Sequence, residues 1–167
     1  LLIHWPNPDI YVEESVEELI KAQEMGYTRY IGVSNFTADM IDRAVDVGAD
    51  LLTNQVEYHP YLSQEILFDT LDKYDISLTA YRPIVKGKVN KDATIKKIAK
   101  KYGKSGVQVC LRWLMQQDDV MAIPMTTKSY RLTENADIFD FALTHEEMQA
   151  ITDLTSKNQR FISPARA

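Results

Sequence analysis

The sequence predicts an α/β fold with a parallel sheet, and three observations support this. Five short apolar runs that are typical of strands alternate with helical patterns along the chain. The runs lack the regular polar–apolar alternation of a half-exposed strand, as expected for parallel strands covered on both faces. Polar strings close three of the runs, namely His4-Trp5-Pro6, Gly32-Val33-Ser34-Asn35 and the segment 54–60.

The strand candidates recur at a spacing that suggests a particular architecture. In chain order they are Leu1–Trp5, Tyr30–Ser34, Leu51–Glu57, Ile76–Tyr81 and Val120–Pro124. Units of roughly 25 to 40 residues suit the repeats of a TIM (β/α)8 barrel, in which ~250 residues form eight strands and eight helices. The sequence therefore predicts a partial TIM (β/α)8 barrel, strands 4 to 8 with their helices, as a single domain over residues 1–167. On this count the first three strands precede Leu1.

Helix signals fill the connections between the strands. Ser15-Val16-Glu17-Glu18 predicts a capping box at the start of the first helix, and Gly26 predicts its end. Thr37 is expected to cap the second helix, and the segment 144–147 is a second capping box near the C-terminus. The remaining helical patterns surround Ile66–Leu71, Lys91–Tyr102 and Ser105–Gln116.

Composition narrows the possible functions. The 167 residues carry a net charge of -5, which argues against an extended nucleic-acid surface. The single cysteine, Cys110, lies in an apolar helical pattern and is expected in the core, so a reducing cytoplasm is the expected location. No apolar run approaches the ~20 residues of a membrane span, so no membrane partner is expected.

Taken together, the strings at the strand ends resemble the C-terminal part of an aldo-keto reductase, close to the bacterial 2,5-diketo-gluconate reductase branch. The resemblance runs from Leu1 to about Pro164. Its pieces are Leu2-Ile3-His4-Trp5-Pro6, Ile31-Gly32-Val33-Ser34-Asn35-Phe36, Asn54-Gln55-x-Glu57-x-His59-Pro60, Ala80-Tyr81-x-Pro83, Leu111-x-Trp113, Ile123-Pro124 and Arg131-Leu132-x-Glu134-Asn135. Each piece is weak alone, but their common order is a strong signal.

The resemblance implies that His4 lies beside a substrate carbonyl and that Trp5 forms a wall of the substrate pocket. An imidazole N–H is a suitable donor to a carbonyl oxygen that gains charge during hydride transfer. The alternative is a core histidine bonded to the backbone.

The resemblance also implies contacts to a nicotinamide. Ser34, Asn35 and Gln55 would bond its carboxamide, since Asn and Gln supply both donors and acceptors. Turn chemistry is the alternative for Ser34 and Asn35, and both roles can hold at once. Tyr81 would stack on the nicotinamide ring, with packing in the barrel as the alternative.

The implied contacts to the rest of the dinucleotide come from two further segments. Arg82 and Pro83 open a loop to Lys88 that could follow the pyrophosphate, although the family more often has a small residue at position 82. The 2′-phosphate and adenine contacts are carried over to Thr126, Thr127, Lys128, Arg131, Glu134 and Asn135. Met125 stands where the family usually has a lysine, which removes one charge. The expected cofactor is NADP(H), with NADPH favoured over NADH.

Glu57 and His59 allow a rival interpretation. They are two residues apart, and with His4 they could form a metal-hydrolase site on a similar barrel. No further Asp or His stands at a strand end to complete such a site, so no metal is expected.

The predicted function is the NADP-dependent reduction of an aldehyde or ketone to an alcohol. The family's acid is a tyrosine assisted by a lysine and an aspartate that precede His4, and none of the nine tyrosines is expected in its Asp-x-x-x-x-Tyr setting. This chain is therefore expected to supply the cofactor-binding half and His4, and to be inactive alone. The alternatives are a non-catalytic nucleotide-binding or regulatory module and an inactive truncated fragment. The partner is a small carbonyl substrate; the full-length protein is expected to be a monomer, and the chain alone to associate through open sheet edges.

Overall fold

The computed structural model describes residues 1–162, so the last five residues of the predicted domain, and with them the end of the resemblance at about Pro164, lie outside it. Its strands are β1 Leu2–Ile3, β2 Ile31–Ser34, β3 Leu51–Glu57, β4 Ser77–Tyr81 and β5 Val120–Ala122. Its α-helices are α1 Val12–Glu24, α2 Ala38–Asp46, α3 Glu65–Lys73, α4 Ala93–Tyr102, α5 Gly106–Met115, α6 Ser129–Ala136 and α7 His145–Thr152. Two 3₁₀ segments occupy Val85–Lys91 and Asp153–Lys157. The longest helix in this part of the chain has 13 residues, and none of the helices there is long and apolar enough to cross a bilayer.

The five strands form one sheet in the order β1-β2-β3-β4-β5. β1 pairs with β2 in parallel, with Leu2 opposite Gly32. β2 pairs with β3 in parallel, with Ser34 opposite Gln55 and one register shift between Ile31 and Val33. The predicted α/β class with a parallel sheet of five strands in chain order is confirmed.

A glycine allows the first strands to approach closely. A Cβ atom at Gly32 would lie 2.6 Å from Leu2 Cδ2 and 2.7 Å from the Thr53 backbone oxygen. Both separations are shorter than real Cβ contacts, so any larger residue would push β1 or β3 away from β2. Gly32 therefore fixes the close spacing that brings the ends of these strands together.

The helix caps were only partly predicted. Thr37 accepts from the Met40 N–H, and Thr144 and Glu147 form the expected capping box of α7. The predicted capping box at Ser15 is wrong, because α1 starts one turn earlier with Tyr11 as its N-cap. The Ser15 N–H already donates to the Tyr11 backbone oxygen at 3.3 Å, so it has an intrahelical acceptor and needs no cap.

The chain forms two compact units. The first comprises residues 1–56 and 64–79, and the second comprises residues 57–63 and those from 80 onward. Buried apolar side chains of the first unit include Val16, Ile31, Val33, Ile41 and Leu71. Those of the second unit include Val89, Ile95, Cys110, Trp113 and Ile151. Burial raises the pKa of the Cys110 thiol, and its predicted place in the core is confirmed.

Candidate functional site

The ends of β1, β2 and β3 bring four of the predicted site residues together in the first unit. The Asn35 side-chain amide donates to the His4 backbone oxygen and to Ser34 Oγ, each at 3.0 Å. Ser34 Oγ donates to the Gln55 backbone oxygen at 2.6 Å, and the Asn35 backbone N–H donates to the same oxygen at 2.9 Å. We call His4, Ser34, Asn35 and Gln55 the strand-end cluster. Its polar groups largely bond one another.

The backbone of the strand-end cluster follows the turn chemistry weighed from the sequence. Asn35 has φ of 61°, a left-handed conformation that asparagine adopts more readily than most residues. Ser34 is buried, so its hydroxyl bond to the Gln55 carbonyl is shielded from water. Asn35 and Gln55 are half-buried, so both keep exposed surface. The turn role of Ser34 and Asn35 is present, and a further role toward a ligand stays a prediction.

His4 is exposed to solvent, so it is not a buried core residue. It takes part in the strand-end cluster through its backbone oxygen, which leaves the imidazole ring out of that network. The ring centroids of His4 and Trp5 are 6.4 Å apart and tilted by 50°. The two rings are thus near each other at the end of β1, where the sequence predicted a substrate-facing pair.

Asn54 is a buried neighbour of Gln55 in β3. Its Nδ2 donates to the Phe36 backbone oxygen at 3.0 Å. Its Oδ1 has no hydrogen-bond partner within residues 1–162, which is unusual for a fully buried acceptor. The amide therefore ties β3 to the segment that follows β2.

The second unit contains a cavity of about 440 Å³. Its walls come from the segment that follows β4, from the start of α5 and from the segment that runs from β5 into α6. The lining residues are Ile84, Lys86, Gly87, Asn90, Val107, Met125, Thr126, Thr127, Tyr130, Arg131, Glu134 and Asn135. We call this space the nucleotide-sized cavity.

Five of the residues predicted to contact the 2′-phosphate and adenine line this cavity. They are Thr126, Thr127, Arg131, Glu134 and Asn135. Lys128 is not among the lining residues; it is exposed, its Nζ lies 6.0 Å from the Tyr130 ring centroid, and its N–H donates to Thr126 Oγ1. Arg82 and Pro83 also lie outside the lining, although the loop they open reaches it at Ile84, Lys86 and Gly87.

Seven of the twelve lining residues were not among the predicted 2′-phosphate and adenine contacts, and three of these seven have polar side chains. Lys86 and Asn90 come from the 3₁₀ segment after β4, and Tyr130 comes from the first turn of α6. Asn90 Oδ1 accepts from the Val107 N–H at 3.0 Å, which joins this segment to the start of α5. A Cβ at Gly106 would lie 2.8 Å from Asn90 Oδ1, so glycine is required for that approach. The sequence predicted that the loop carrying Lys86 and Gly87 could follow the pyrophosphate, and the φ of 81° at Gly87 is one that favours glycine.

The loop between β4 and the cavity holds an unusual backbone. Arg82, Val85 and Lys86 have φ of 55°, 47° and 53°, all in the left-handed region. Non-glycine residues there cost of order 1–3 kcal/mol each, and β-branched valine is a clear outlier. Such strain persists only where surrounding contacts fix it, and it is concentrated at functional sites.

The charges of the cavity are unevenly balanced. Among residues 1–162, neither Lys86 nor Arg131 forms an ion pair, whereas Lys101, Lys104 and Lys157 in the same unit each pair with a carboxylate. Glu134 is the single acidic lining residue. Two cations against one anion, together with the Thr126 and Thr127 hydroxyls, make the cavity suited to a negatively charged ligand.

Tyr81 ends β4 in the second unit and is half-buried. Its backbone oxygen accepts from the Tyr58 N–H at 3.4 Å. Burial and the nearby Glu57 carboxylate raise the pKa of the Tyr81 hydroxyl. That hydroxyl is therefore a poor acid, which agrees with a packing or stacking role.

Glu57 and His59 are both fully buried in the second unit. His59 Nε2 and Glu57 Oε1 are 3.1 Å apart, and the carboxylate also accepts the N–H groups of Phe161 and Ile162. Within residues 1–162, no group of three or more His, Cys, Asp or Glu side chains is placed to hold a metal ion. The rival metal interpretation of Glu57, His59 and His4 gains no support from these contacts.

The expectation about tyrosine spacing is wrong at one position. Asp69 and Tyr74 do have the Asp-x-x-x-x-Tyr spacing. Tyr74 follows α3 and precedes β4, so it lies at the opposite edge of the sheet from the strand-end cluster. Its hydroxyl donates to Asp42 Oδ1 at 2.6 Å and accepts from Lys73 Nζ at 2.5 Å, which joins α3 to α2. The match has no connection to the site.

Comparison with known protein families shows which family this chain belongs to. The sequence model of the Aldo/keto reductase family matches residues 1–156. This chain belongs to that family. Curated relatives include an aldo-keto reductase of Mycobacterium avium (strain 104), 40% identical over 156 residues, which cover 92% of this chain and 54% of the relative. The glyoxal reductase of Bacillus subtilis (strain 168) is 40% identical over 95% of this chain and 57% of its own length. The methylglyoxal reductase DkgB of Salmonella typhi is 39% identical over 98% and 62%.

Solved aldo-keto reductase structures share the fold. A Gox0644 variant in complex with NADPH is 37% identical, with a TM-score of 0.90 over 97% of this chain and 60% of that one. The Bombyx mori aldo-keto reductase AKR2E4 in complex with NADP is 34% identical, with a TM-score of 0.86 over 98% and 59%. This aldo-keto reductase chain therefore spans little more than half the length of the relatives it matches.

Proposed function

We propose that this chain forms the cofactor-binding half of an NADPH-dependent aldo-keto reductase that reduces an aldehyde or ketone to an alcohol. The observation that carries the proposal is the nucleotide-sized cavity, which gathers five of the predicted contact residues and in which neither Lys86 nor Arg131 forms an ion pair among residues 1–162. Membership of the family and the similarity to structures solved with NADPH and NADP support it. The finer architecture, strands 4 to 8 of a TIM barrel, is part of the same proposal.

The residues of the cavity fit the adenosine 2′-phosphate of NADPH. Arg131 offers planar, paired N–H donors that match a phosphate, and Thr126 and Thr127 offer hydroxyl donors. Met125 lacks the charge of the lysine expected at its position, and its side chain is 88% exposed. Lys86, which also lines the cavity, would supply a second cation in its place. Glu134 can accept the adenine amino group, and Asn135 can donate or accept at the ring edge.

The contacts predicted for the nicotinamide rest on the resemblance and stay proposals. Ser34, Asn35 and Gln55 would bond the carboxamide with the surface that their mutual hydrogen bonds leave exposed. Tyr81 would stack on the ring. Prior ordering of the strand-end cluster would reduce the entropy lost when a ligand binds.

The proposed chemistry assigns one step to this chain. The bound cofactor supplies the hydride. The His4 imidazole, which is exposed beside Trp5, would donate an N–H to the substrate oxygen as negative charge develops there. The proton donor would come from the part of the relatives' length that this chain does not span, so we propose that the chain alone is inactive.

The substrate class is proposed from the relatives. Two of them are named as reductases of glyoxal and methylglyoxal, which are small dicarbonyl compounds. Such an aldehyde is the first substrate to test. A non-catalytic nucleotide-binding module is the alternative, and NADPH binding without turnover by the full-length protein would favour it.

The cavity assignment is tested with Arg131→Ala in the full-length protein. Loss of a charge-assisted hydrogen bond costs about 1.5 to 3 kcal/mol, so the Kd for NADPH should rise about ten- to a hundredfold while that for NADH changes little. Arg29→Ala is the matched control, since Arg29 is an exposed arginine of the first unit. Fluorescence titration measures both constants. Equal weakening of the two cofactors would contradict a contact with the 2′-phosphate.

A further inference from the structure

A buried carboxylate holds the C-terminal segment of the second unit. The Phe161 N–H lies 2.9 Å from Glu57 Oε1, and the Ile162 N–H lies 2.8 Å from Oε2. The Gln159 N–H donates to the Tyr61 backbone oxygen at 2.7 Å. We call residues 159–162 the strap. The strap belongs to no helix or strand, so its backbone N–H groups have no partners in regular secondary structure. The Glu57 carboxylate and the Tyr61 backbone oxygen accept from them instead.

The histidine next to Glu57 fixes the protonation of the pair. His59 Nδ1 accepts from the Tyr61 N–H at 3.2 Å, so Nε2 carries the proton and donates to Glu57. Burial raises the pKa of Glu57, but the N–H donors of His59, Ile162 and Phe161 outweigh it, and the pKa lies below its ordinary value. The carboxylate is thus ionised and fully bonded at neutral pH.

The strap contacts the loop beside the nucleotide-sized cavity through the Phe161 ring. The Phe161 ring centroid lies 5.5 Å from that of His59. Lys88 Nζ lies 4.7 Å from the Phe161 centroid, and Arg82 Cζ lies 5.8 Å from it. Both distances are within the range of a cation–π contact. Arg82 and Lys88 stand on either side of Lys86 and Gly87, which line the cavity.

We infer that Glu57 is a positioning residue of the cofactor site: it holds Phe161 against Arg82 and Lys88, and thereby keeps the loop 82–88 in the shape that forms one wall of the nucleotide-sized cavity. The inference rests on the proposed function, since it takes that cavity to be the cofactor site. Left-handed Arg82, Val85 and Lys86 need contacts that outweigh their strain, and Phe161 provides one at each end of the loop.

A consequence concerns how the cofactor leaves. When the strap detaches, the loop loses contacts at both ends and relaxes toward ordinary backbone angles. Lys86 then leaves the cavity wall. The strap is therefore coupled to the rate at which a nucleotide leaves, although none of its residues lines the cavity.

Two variants and a double variant test the inference in the full-length protein. Phe161→Leu removes the ring but keeps the N–H groups bound to Glu57, and Glu57→Gln weakens the anchor itself. Each should speed NADPH release about three- to tenfold in stopped-flow fluorescence, the loss expected for two cation–π contacts. The double variant should be no faster than Glu57→Gln, because Glu57 acts through Phe161. Glu147→Gln is the matched control, as it neutralises a carboxylate that binds Lys101 and Tyr102 away from the loop.

A second readout needs no cofactor. Trypsin can cut after Lys86 and Lys88 but not after Arg82, which precedes proline. Cleavage at these two lysines should become at least about threefold faster in Phe161→Leu than in the wild type, and stay unchanged in Glu147→Gln. If Glu57→Gln fails to fold, Phe161→Leu alone decides the matter.

The outcomes separate the inference from the proposed function. Wild-type release and cleavage rates in Phe161→Leu would overturn the inference while leaving NADPH binding intact. If the wild-type protein does not bind NADPH, the proposed function is overturned, and with it the role of Glu57 at a cofactor site, even if trypsin cleaves Phe161→Leu faster than the wild type.

Discussion

The strand-end cluster of the first unit and the nucleotide-sized cavity of the second use polar residues in opposite ways. In the strand-end cluster, Ser34, Asn35 and the Gln55 carbonyl are bonded to one another. In the cavity, Lys86 and Arg131 face the space without a carboxylate partner among the described residues. The first arrangement fixes geometry, and the second leaves charge available to a ligand. The comparison suggests two uses of polar side chains. Those that hydrogen-bond to one another hold a fixed geometry, and charged side chains without a carboxylate partner are available to bind a ligand.

The difference predicts unequal tolerance of substitution. Gly32→Val should lower the free energy of unfolding by about 3 kcal/mol, at the upper end of overpacking effects, because its side chain would overlap Leu2 and the Thr53 carbonyl. Urea unfolding measures the loss. Gly26→Ala is the control for a glycine without close neighbours: a Cβ there meets nothing within 4 Å, and its φ of +77°, which Gly32 does not share, should cost only about 1–2 kcal/mol. Equal losses would mean that close strand spacing does not order the cluster.

The cavity, in contrast, should accept an added charge. Met125→Lys places a third cation at an 88% exposed position, so stability should change by less than about 0.5 kcal/mol. The preference for NADPH over NADH should rise about three- to tenfold, since an added charged contact to phosphate is worth about 1 kcal/mol. The ratio of the two Kd values gives the result. An unchanged ratio would show that position 125 does not reach the 2′-phosphate.

How well the sequence predicts a structural feature depends on how far apart in the chain the residues that form it lie. The strands and the caps at Thr37 and Thr144 are local, and they were predicted. The start of α1 was predicted wrongly. The Ser15 N–H donates to the Tyr11 backbone oxygen inside the helix, so the capping pattern at Ser15 is not used. One wall of the cavity lies in the continuous stretch 126–135 and was visible in the sequence.

The sequence predicted the other wall only as a loop from Arg82 to Lys88 that could follow the pyrophosphate, because the shape of this wall depends on contacts between distant parts of the chain. Asn90 meets Val107 across 17 residues, and Glu57 meets Phe161 across 104. The sequence placed Glu57 and His59 on one face and left a metal site only as a rival interpretation. The N–H donors that occupy the carboxylate could not be seen there, because they come from Phe161 and Ile162, far along the chain. Lys86 was noted only as part of a loop. The fold brings Lys86 and Arg131 into the lining of the same cavity.

The most direct test of the central claim uses ligands that fill only the cavity of the second unit. Calorimetric titration of the full-length protein with adenosine 2′,5′-bisphosphate and with adenosine 5′-monophosphate isolates the contribution of the 2′-phosphate. The bisphosphate should bind at least about tenfold more tightly, since a phosphate held by charged donors contributes about 1.5 kcal/mol or more. Equal affinity for the two nucleotides would contradict the assignment of this cavity to NADPH.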